Sequence, residues 1–308
     1  MHRTPFVWAL AAALPLSIAP VSAPATGLAP VGRLPEAATR AAVSAPVVAD
    51  AYARDRDAEP EPIRFARTPH IAHGKIAFAY HDDIWIANAD GSDARRLTAH
   101  EAREINPRFS PDGKWIAFSS NRMGNYDVYV IPITGGEPRK LTFHDANDEV
   151  QYWTPDGTGI VFTTTRGPNP WGTPLYVVDL EGGIPRPLPM DRATAGMIRQ
   201  DGAMVAFNRI GYRYNRKGYR GNNSADIYVQ DLRTKEIRRL TDTDIREFRS
   251  FVHDASPMWG ADGKIYFASE RDGTFNIWRI DPAGGEPEQV TRHTGLGVRF
   301  PAISPDGR

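Results

Sequence analysis

The sequence predicts an all-β fold, a six-bladed β-propeller of four-stranded blades whose sixth blade is truncated. The first observation behind this is a turn that returns. Ser110-Pro111-Asp112-Gly113 precedes Trp115–Ser120, Thr154-Pro155-Asp156-Gly157 precedes Ile160-Val161-Phe162, Asp201-Gly202 precedes Val205-Ala206-Phe207, Asp262-Gly263 precedes Ile265-Tyr266-Phe267, and Ser304-Pro305-Asp306-Gly307 opens one further copy. Glycine takes the positive φ of a tight hairpin turn and aspartate bonds its own backbone there. A hairpin signal with a period of about 40–60 residues marks an array of repeated units. The second observation is that the strands after these turns are apolar on both faces, Trp115 and Ala117 on one, Ile116 and Phe118 on the other. Such a sheet lies between two others, as in radially stacked blades. A β-sandwich would show a polar outer face and no repeat in register. The third is that no helical period occurs in the repeated region.

The elements follow in order. His2 and Arg3 precede the apolar run Phe6 to Ile18, and Val21-Ser22-Ala23 and Ala23-Pro24-Ala25 resemble cleavage sites. Residues 1–25 therefore read as a secretory signal peptide, too short and too interrupted by Pro15 for a lasting membrane anchor. The expected location is periplasmic or secreted, and cytoplasmic if the segment is not a signal. Residues 26–68 are rich in Ala and Pro and read as a linker. The propeller follows from 69 to 308, with blades at about 69–100, 101–144, 145–190, 191–243 and 244–293, and a partial unit at 294–308 that holds one strand, Arg299–Ile303, and its turn.

Inside each blade a second signature sets the third strand: Asp83-Ile84-Trp85-Ile86, Asp127-Val128-Tyr129-Val130, Pro174–Val178, Asp226-Ile227-Tyr228-Val229 and Asn276–Ile280. A third sets the outermost strand: Arg95–Thr98, Arg139–Thr142, Arg238–Thr241 and Glu288–Thr291. In the third blade Arg186-Pro187-Leu188-Pro189 stands there, and proline suits an edge strand. The fourth blade carries an insertion, Ile210 to Ser224. With the sixth unit incomplete, Phe267 and Trp278 are expected to be partly uncovered on the fifth blade.

The Ser-Pro-Asp-Gly-Lys repeat with its following Ile-Ala-Phe-Ser-Ser resembles the propeller repeats of TolB, of prolyl oligopeptidase-type enzymes and of tricorn protease. Pro69–Phe78 with Asp82-Asp83-Ile84-Trp85, the insertion Lys217–Gly221 before Asp226-Ile227-Tyr228, and Leu188-Pro189 before Arg192-Ala193-Thr194 are most similar to the tricorn propeller. The resemblance implies a six-bladed propeller that guides peptides in a large serine peptidase, with the nucleophile and its base beyond Arg308. It also implies a scaffolding role for the catalytic domains. A TolB-like binding module for envelope protein complexes is the alternative. Expected partners are peptides or unfolded polypeptide, the remaining domains of the same protein, and, as an open alternative, further copies in a homo-oligomer.

Composition narrows the chemistry. Lys plus Arg equals Asp plus Glu, 37 each, which argues against a nucleic-acid or anionic-membrane surface. There is no cysteine, so disulfides, thiolate metal sites and cysteine nucleophiles are excluded. No cofactor, metal or catalytic residue is expected within the chain. His100, His144 and His293 share one repeat position, but equivalent propeller positions form a ring and need not converge, so blade connectors are expected. His253, Asp254 and Ser256 supply the residue types of a triad on one loop, without a nucleophile elbow. Tyr212 to Arg220 interleave bases and rings. Arg213, Arg216, Lys217, Tyr219 and Arg220 form the candidate contact for substrate or a neighbouring domain, since arginine binds carboxylates bidentately. The acidic connector Asp145–Glu149 argues against capture of a peptide carboxylate at the junction of blades two and three.

Overall fold

The computed structural model describes residues 66–167, 172–211, 224–241, 252–295 and 297–307. These residues form five four-stranded antiparallel sheets and no helix. The first holds β1 (Arg67–Ala72), β2 (Lys75–Tyr80), β3 (Asp83–Asn88) and β4 (Arg95–Arg96). The second holds β5 (Glu104–Phe109), β6 (Trp115–Ser120), β7 (Asp127–Pro132) and β8 (Arg139–Lys140). The third holds β9 (Asp148–Trp153), β10 (Gly159–Thr164), β11 (Tyr176–Asp179) and β12 (Arg186–Pro187). The fourth holds β13 (Ala195–Ile198), β14 (Met204–Asn208), β15 (Ile227–Asp231) and β16 (Ile237–Arg239). The fifth holds β17 (Asp254–Trp259), β18 (Ile265–Ser269), β19 (Asn276–Ile280) and β20 (Glu288–Gln289). Each sheet runs in sequence order, and β1, β5, β9, β13 and β17 touch one another in succession as the innermost strands. This is an all-β propeller of four-stranded blades. Pro187 sits on the edge strand β12, where its missing N–H harms no ladder.

The innermost turns repeat almost atom for atom. Gly113, Gly157, Gly202, Gly263 and Gly307 adopt φ between 70° and 76°, a conformation that only glycine takes freely. The aspartate before each of the first four accepts the amide two residues on, from Lys114, Thr158, Ala203 and Lys264. In the first two turns the Ser110 and Thr154 hydroxyls donate to the same carboxylates at 2.6 Å. Hydrogen bonds from Ser110, Thr154 and Arg199 hold Asp112, Asp156 and Asp201 below the ordinary carboxylate range. Their folded pKa values lie below the unfolded value of about 3.9. They contribute stability above that pH and lose it as pH falls through the folded values. Denaturant melts between pH 6 and 3 should therefore show falling stability. The triple variant Asp112→Asn, Asp156→Asn, Asp201→Asn should have a shallower acid limb; an unchanged limb would refute the assignment.

Between blades, both sheet faces are buried. Phe118, Phe162, Phe207 and Phe267, one on the second strand of each of blades two to five, are all at 0% exposure. The rings pair with the third strand, Phe118 with Tyr129 at 5.8 Å, Phe162 with Tyr176 at 5.9 Å and Phe207 with Tyr228 at 5.7 Å between centroids. In blades two to five an arginine beyond the second strand covers these rings, Arg209 lying 4.9 Å from the Tyr228 centroid. Arg122 lies 5.2 Å from the Tyr129 centroid, Arg166 5.3 Å from Tyr176 and Arg271 5.0 Å from Trp278. The same three guanidinium groups pair with the acid that opens the innermost strand, Glu104, Asp148 and Asp254. At the rim, Arg95 donates to the Ile133 carbonyl at 2.5 Å and Arg238 to the Pro282 carbonyl at 3.0 Å, each stapling one blade to the next.

Two expectations need correction. Phe267 is fully buried rather than partly uncovered, because the fourth blade packs over it, whereas Trp278, beneath Arg271, is partly uncovered as expected. Residues 299–303 form no strand. A strand needs a ladder partner, and none lies beside them among the described residues. Their turn does form, with Gly307 N–H bonded to the Ser304 carbonyl at 2.9 Å and Ala261 N–H bonded to the Gly307 carbonyl at 2.9 Å.

Candidate ligand-facing site on the propeller axis

The innermost strands enter the ring through a repeated Xaa-Pro step. Thr68-Pro69, Asn106-Pro107, Ser256-Pro257 and Phe300-Pro301 each place the residue before proline at positive φ, at 47°, 56°, 55° and 52°. Proline has no N–H for the ladder, and the residue before it is disfavoured in the right-handed helical region. The register of β1, β5 and β17 shifts at these points, between Arg67 and His70, Ile105 and Arg108, and Ala255 and Met258. These are β-bulges, which bend a strand and re-aim its side chains. A left-handed non-glycine residue costs about 1–3 kcal/mol, so the surrounding contacts must impose it. At the fifth blade Asn208 imposes it, donating to the Asp254 carbonyl and accepting from Ser256 N–H at 2.8 and 2.9 Å.

The bulges of blades one and two, with Phe300, border a cavity of about 510 Å³. Arg67, Asp82, Arg103, Asn106, Glu149 and Phe300 line it. Both charge signs are present. Arg103 approaches Asp82 at 3.5 Å, while burial raises the Glu149 carboxyl above its usual range and the Arg103 charge opposes that rise. Blade one is open here because its second turn is only His81-Asp82, both at positive φ. It has Asp82 before its third strand, where the longer turns of blades two to five carry the ring-covering arginine.

Deeper on the axis the space closes. Arg108 donates from Nε to the Gln151 carbonyl at 2.8 Å and from Nη1 to the Pro107 carbonyl at 2.9 Å, and lies 5.2 Å from the Tyr152 ring centroid. His70 accepts Phe109 N–H at Nδ1, 3.1 Å. These groups, with Met197 and Pro305, enclose a cavity of about 20 Å³. Among the described residues the axis thus narrows from this mouth to a one-molecule constriction and widens again beyond it, to about 350 Å³ beside Ala72 and Gln200.

The residues singled out in the sequence fall differently. Arg213, Arg216, Lys217, Tyr219 and Arg220 lie outside the described residues. His100 and His144 close the turns between blades, each Nδ1 accepting the amide two residues on, Ala102 and Ala146. His293 donates its amide to Asn276 at 2.7 Å. Among the described residues no cluster of three or more His, Asp or Glu is placed to hold a metal. The triad types are not brought together. His253 Nδ1 accepts Ala225 N–H, Asp254 is held by both oxygens to Arg271 at 2.8 Å, and Ser256 is the strained bulge residue. Of the acidic connector, Asp148 is consumed by Arg166, and Glu149 faces the mouth. Sequence reasoning missed Arg67, Arg103 and Phe300 as lining residues, and read Glu149 only as part of an acidic connector. The signal that could have found them is the proline shared by four units, Pro69, Pro107, Pro257 and Pro301.

Fold and site together define a propeller domain with a charged, bulge-lined mouth on its axis. The model of the tricorn protease N-terminal β-propeller domain matches residues 63–307, and the chain belongs to that family. Tricorn protease homolog 1 of Streptomyces coelicolor is 39% identical over 72 residues, 23% of this chain and 7% of that protein. The Tol-Pal system protein TolB of Desulfosudis oleivorans is 35% identical over 66 residues, 20% of this chain and 15% of that one. The crystal structure of the tricorn protease superposes with a TM-score of 0.67 and 26% identity, over 79% of this chain and 24% of that one. The chain therefore corresponds to a minor part of these longer proteins.

Proposed function

We propose that this chain is the N-terminal propeller portion of a secreted tricorn-like serine peptidase, where it admits or guides peptides and scaffolds the catalytic domains. The family match across the whole repeated region carries the reading. The mouth supports it: about 510 Å³ lined by Arg67 and Glu149 suits a segment bearing both charges, as a peptide does. A full circle of six blades agrees with Phe300-Pro301, which repeats the bulge geometry of the blades before it. The apolar segment at residues 6–18 and the likeness to a Tol-Pal protein support export to the envelope. On this reading the chemistry belongs to other domains. Calorimetric titration with short unblocked peptides should give binding without cleavage, and Glu149→Gln should weaken it about tenfold, or 1.4 kcal/mol. Truncating Lys217, Tyr219 and Arg220 to alanine should weaken peptide binding or domain docking without lowering Tm. Cleavage that is lost in Ser256→Ala would refute the non-catalytic reading.

The local identity to TolB favours a second reading, a non-enzymatic module for envelope protein–protein interactions. Failure to bind any peptide or unfolded polypeptide, with retention of a folded envelope protein instead, would favour it over the first.

A further inference from the structure

Arg108 differs from the other ring-covering arginines. Arg122, Arg166 and Arg271 each meet a buried carboxylate, and Arg199 and Arg209, over Trp259 and Tyr228, meet the exposed Asp201 and Asp191. Arg108 meets two backbone carbonyls and the Tyr152 ring, and no carboxylate pairs with it among the described residues. Arg108 is half-buried, and a cation drawn partly out of water without a counter-charge is costly. Beside it, His70 is 2% exposed, and its Nε2 makes no close hydrogen bond, with only the Ile303 backbone drawing weakly on it. Because Nδ1 accepts Phe109 N–H, the proton of the neutral ring sits on Nε2 and makes it a donor. Burial first, then the Arg108 charge, pushes His70 down to about 3, so the ring stays neutral.

The two groups line the same cavity of about 20 Å³, bordered by the Tyr152 ring. That volume holds one water-sized occupant. Water would satisfy the donors but leave the charge. A sulfate or a carboxylate is too large. We propose that the propeller axis binds a single halide ion, held between the Arg108 guanidinium and His70 Nε2–H. The ion would neutralise the axis and pin blades one and two to the constriction beneath the mouth. The site is independent of whether the mouth takes peptides.

Crystals of the full chain grown in sodium bromide should show an anomalous peak between Arg108 and His70. In solution, Tm should rise with chloride or bromide concentration against sodium gluconate at equal ionic strength, as for any ligand of the folded state. Arg108→Gln should abolish that dependence, and His70→Leu should weaken it. If neither variant folds, the bromide map and the halide series on the unaltered protein decide alone. Bromide at surface cations only, an adventitious ion only, or equal Tm in halide and gluconate would overturn the proposal.

Discussion

Replacing Arg122 with methionine should destabilise the protein by about 3–5 kcal/mol, the usual cost of leaving a buried charge without its partner. Glu104 is at 0% exposure, and Arg122 reaches its Oε1 from Nε at 3.0 Å and from Nη2 at 2.5 Å. Thr98 supplies one further hydrogen bond to Oε2. Methionine keeps much of the contact with Phe118 and Tyr129 and removes the charge. Glu104 must then become protonated or draw in water, and either opens the end of blade two. The double variant Arg122→Met, Glu104→Gln should recover more than half of the loss, since it removes the stranded carboxylate. Urea unfolding of the three variants measures this. A single variant within 1 kcal/mol of the parent would show that Glu104 is satisfied without arginine.

Phe207→Ala should cost about 3–5 kcal/mol, the range for emptying a packed aromatic site. Phe207 is fully buried between blades, packs with Leu175, Ile198 and Val205, and pairs with Tyr228 at 5.7 Å. Phe143→Ala is the matched control. Phe143 is 79% exposed, and its loss should stay within about 0.5 kcal/mol. Because neighbouring blades share their interfaces, the Phe207 variant should also loosen the third blade. Hydrogen exchange at Val161 and Val177 would then rise with that at β14. Faster exchange confined to blade four would instead mean that the blades unfold separately.

The repeat, the four-stranded blades and the edge position of Arg186-Pro187 were legible in the sequence, because each rests on contacts a few residues apart. An Asp-Gly turn closes on itself: the Asp112 carboxylate finds Ser110 and Lys114 in any context that permits the hairpin. Apolar residues at both odd and even positions of Trp115–Ser120 similarly announce a sheet covered twice. The pairing of Glu104 with Arg122, 18 residues apart, was written as an acid and an arginine at recurring places, yet its partners become visible only when two strands lie side by side. The Xaa-Pro bulges were in plain letters, but proline alone does not say which way the next side chain turns.

Only the stacking of successive blades brings His70, Arg108 and Tyr152 together, since they stand on three different innermost strands. The same stacking sets Glu149 with Arg67 and Arg103 at the mouth. The amino-acid order by itself determined the blades, through local hydrogen bonds and strand periodicity. Tertiary structure decided what faces the axis, because the axis belongs to no blade and exists only where the innermost strands of successive blades meet.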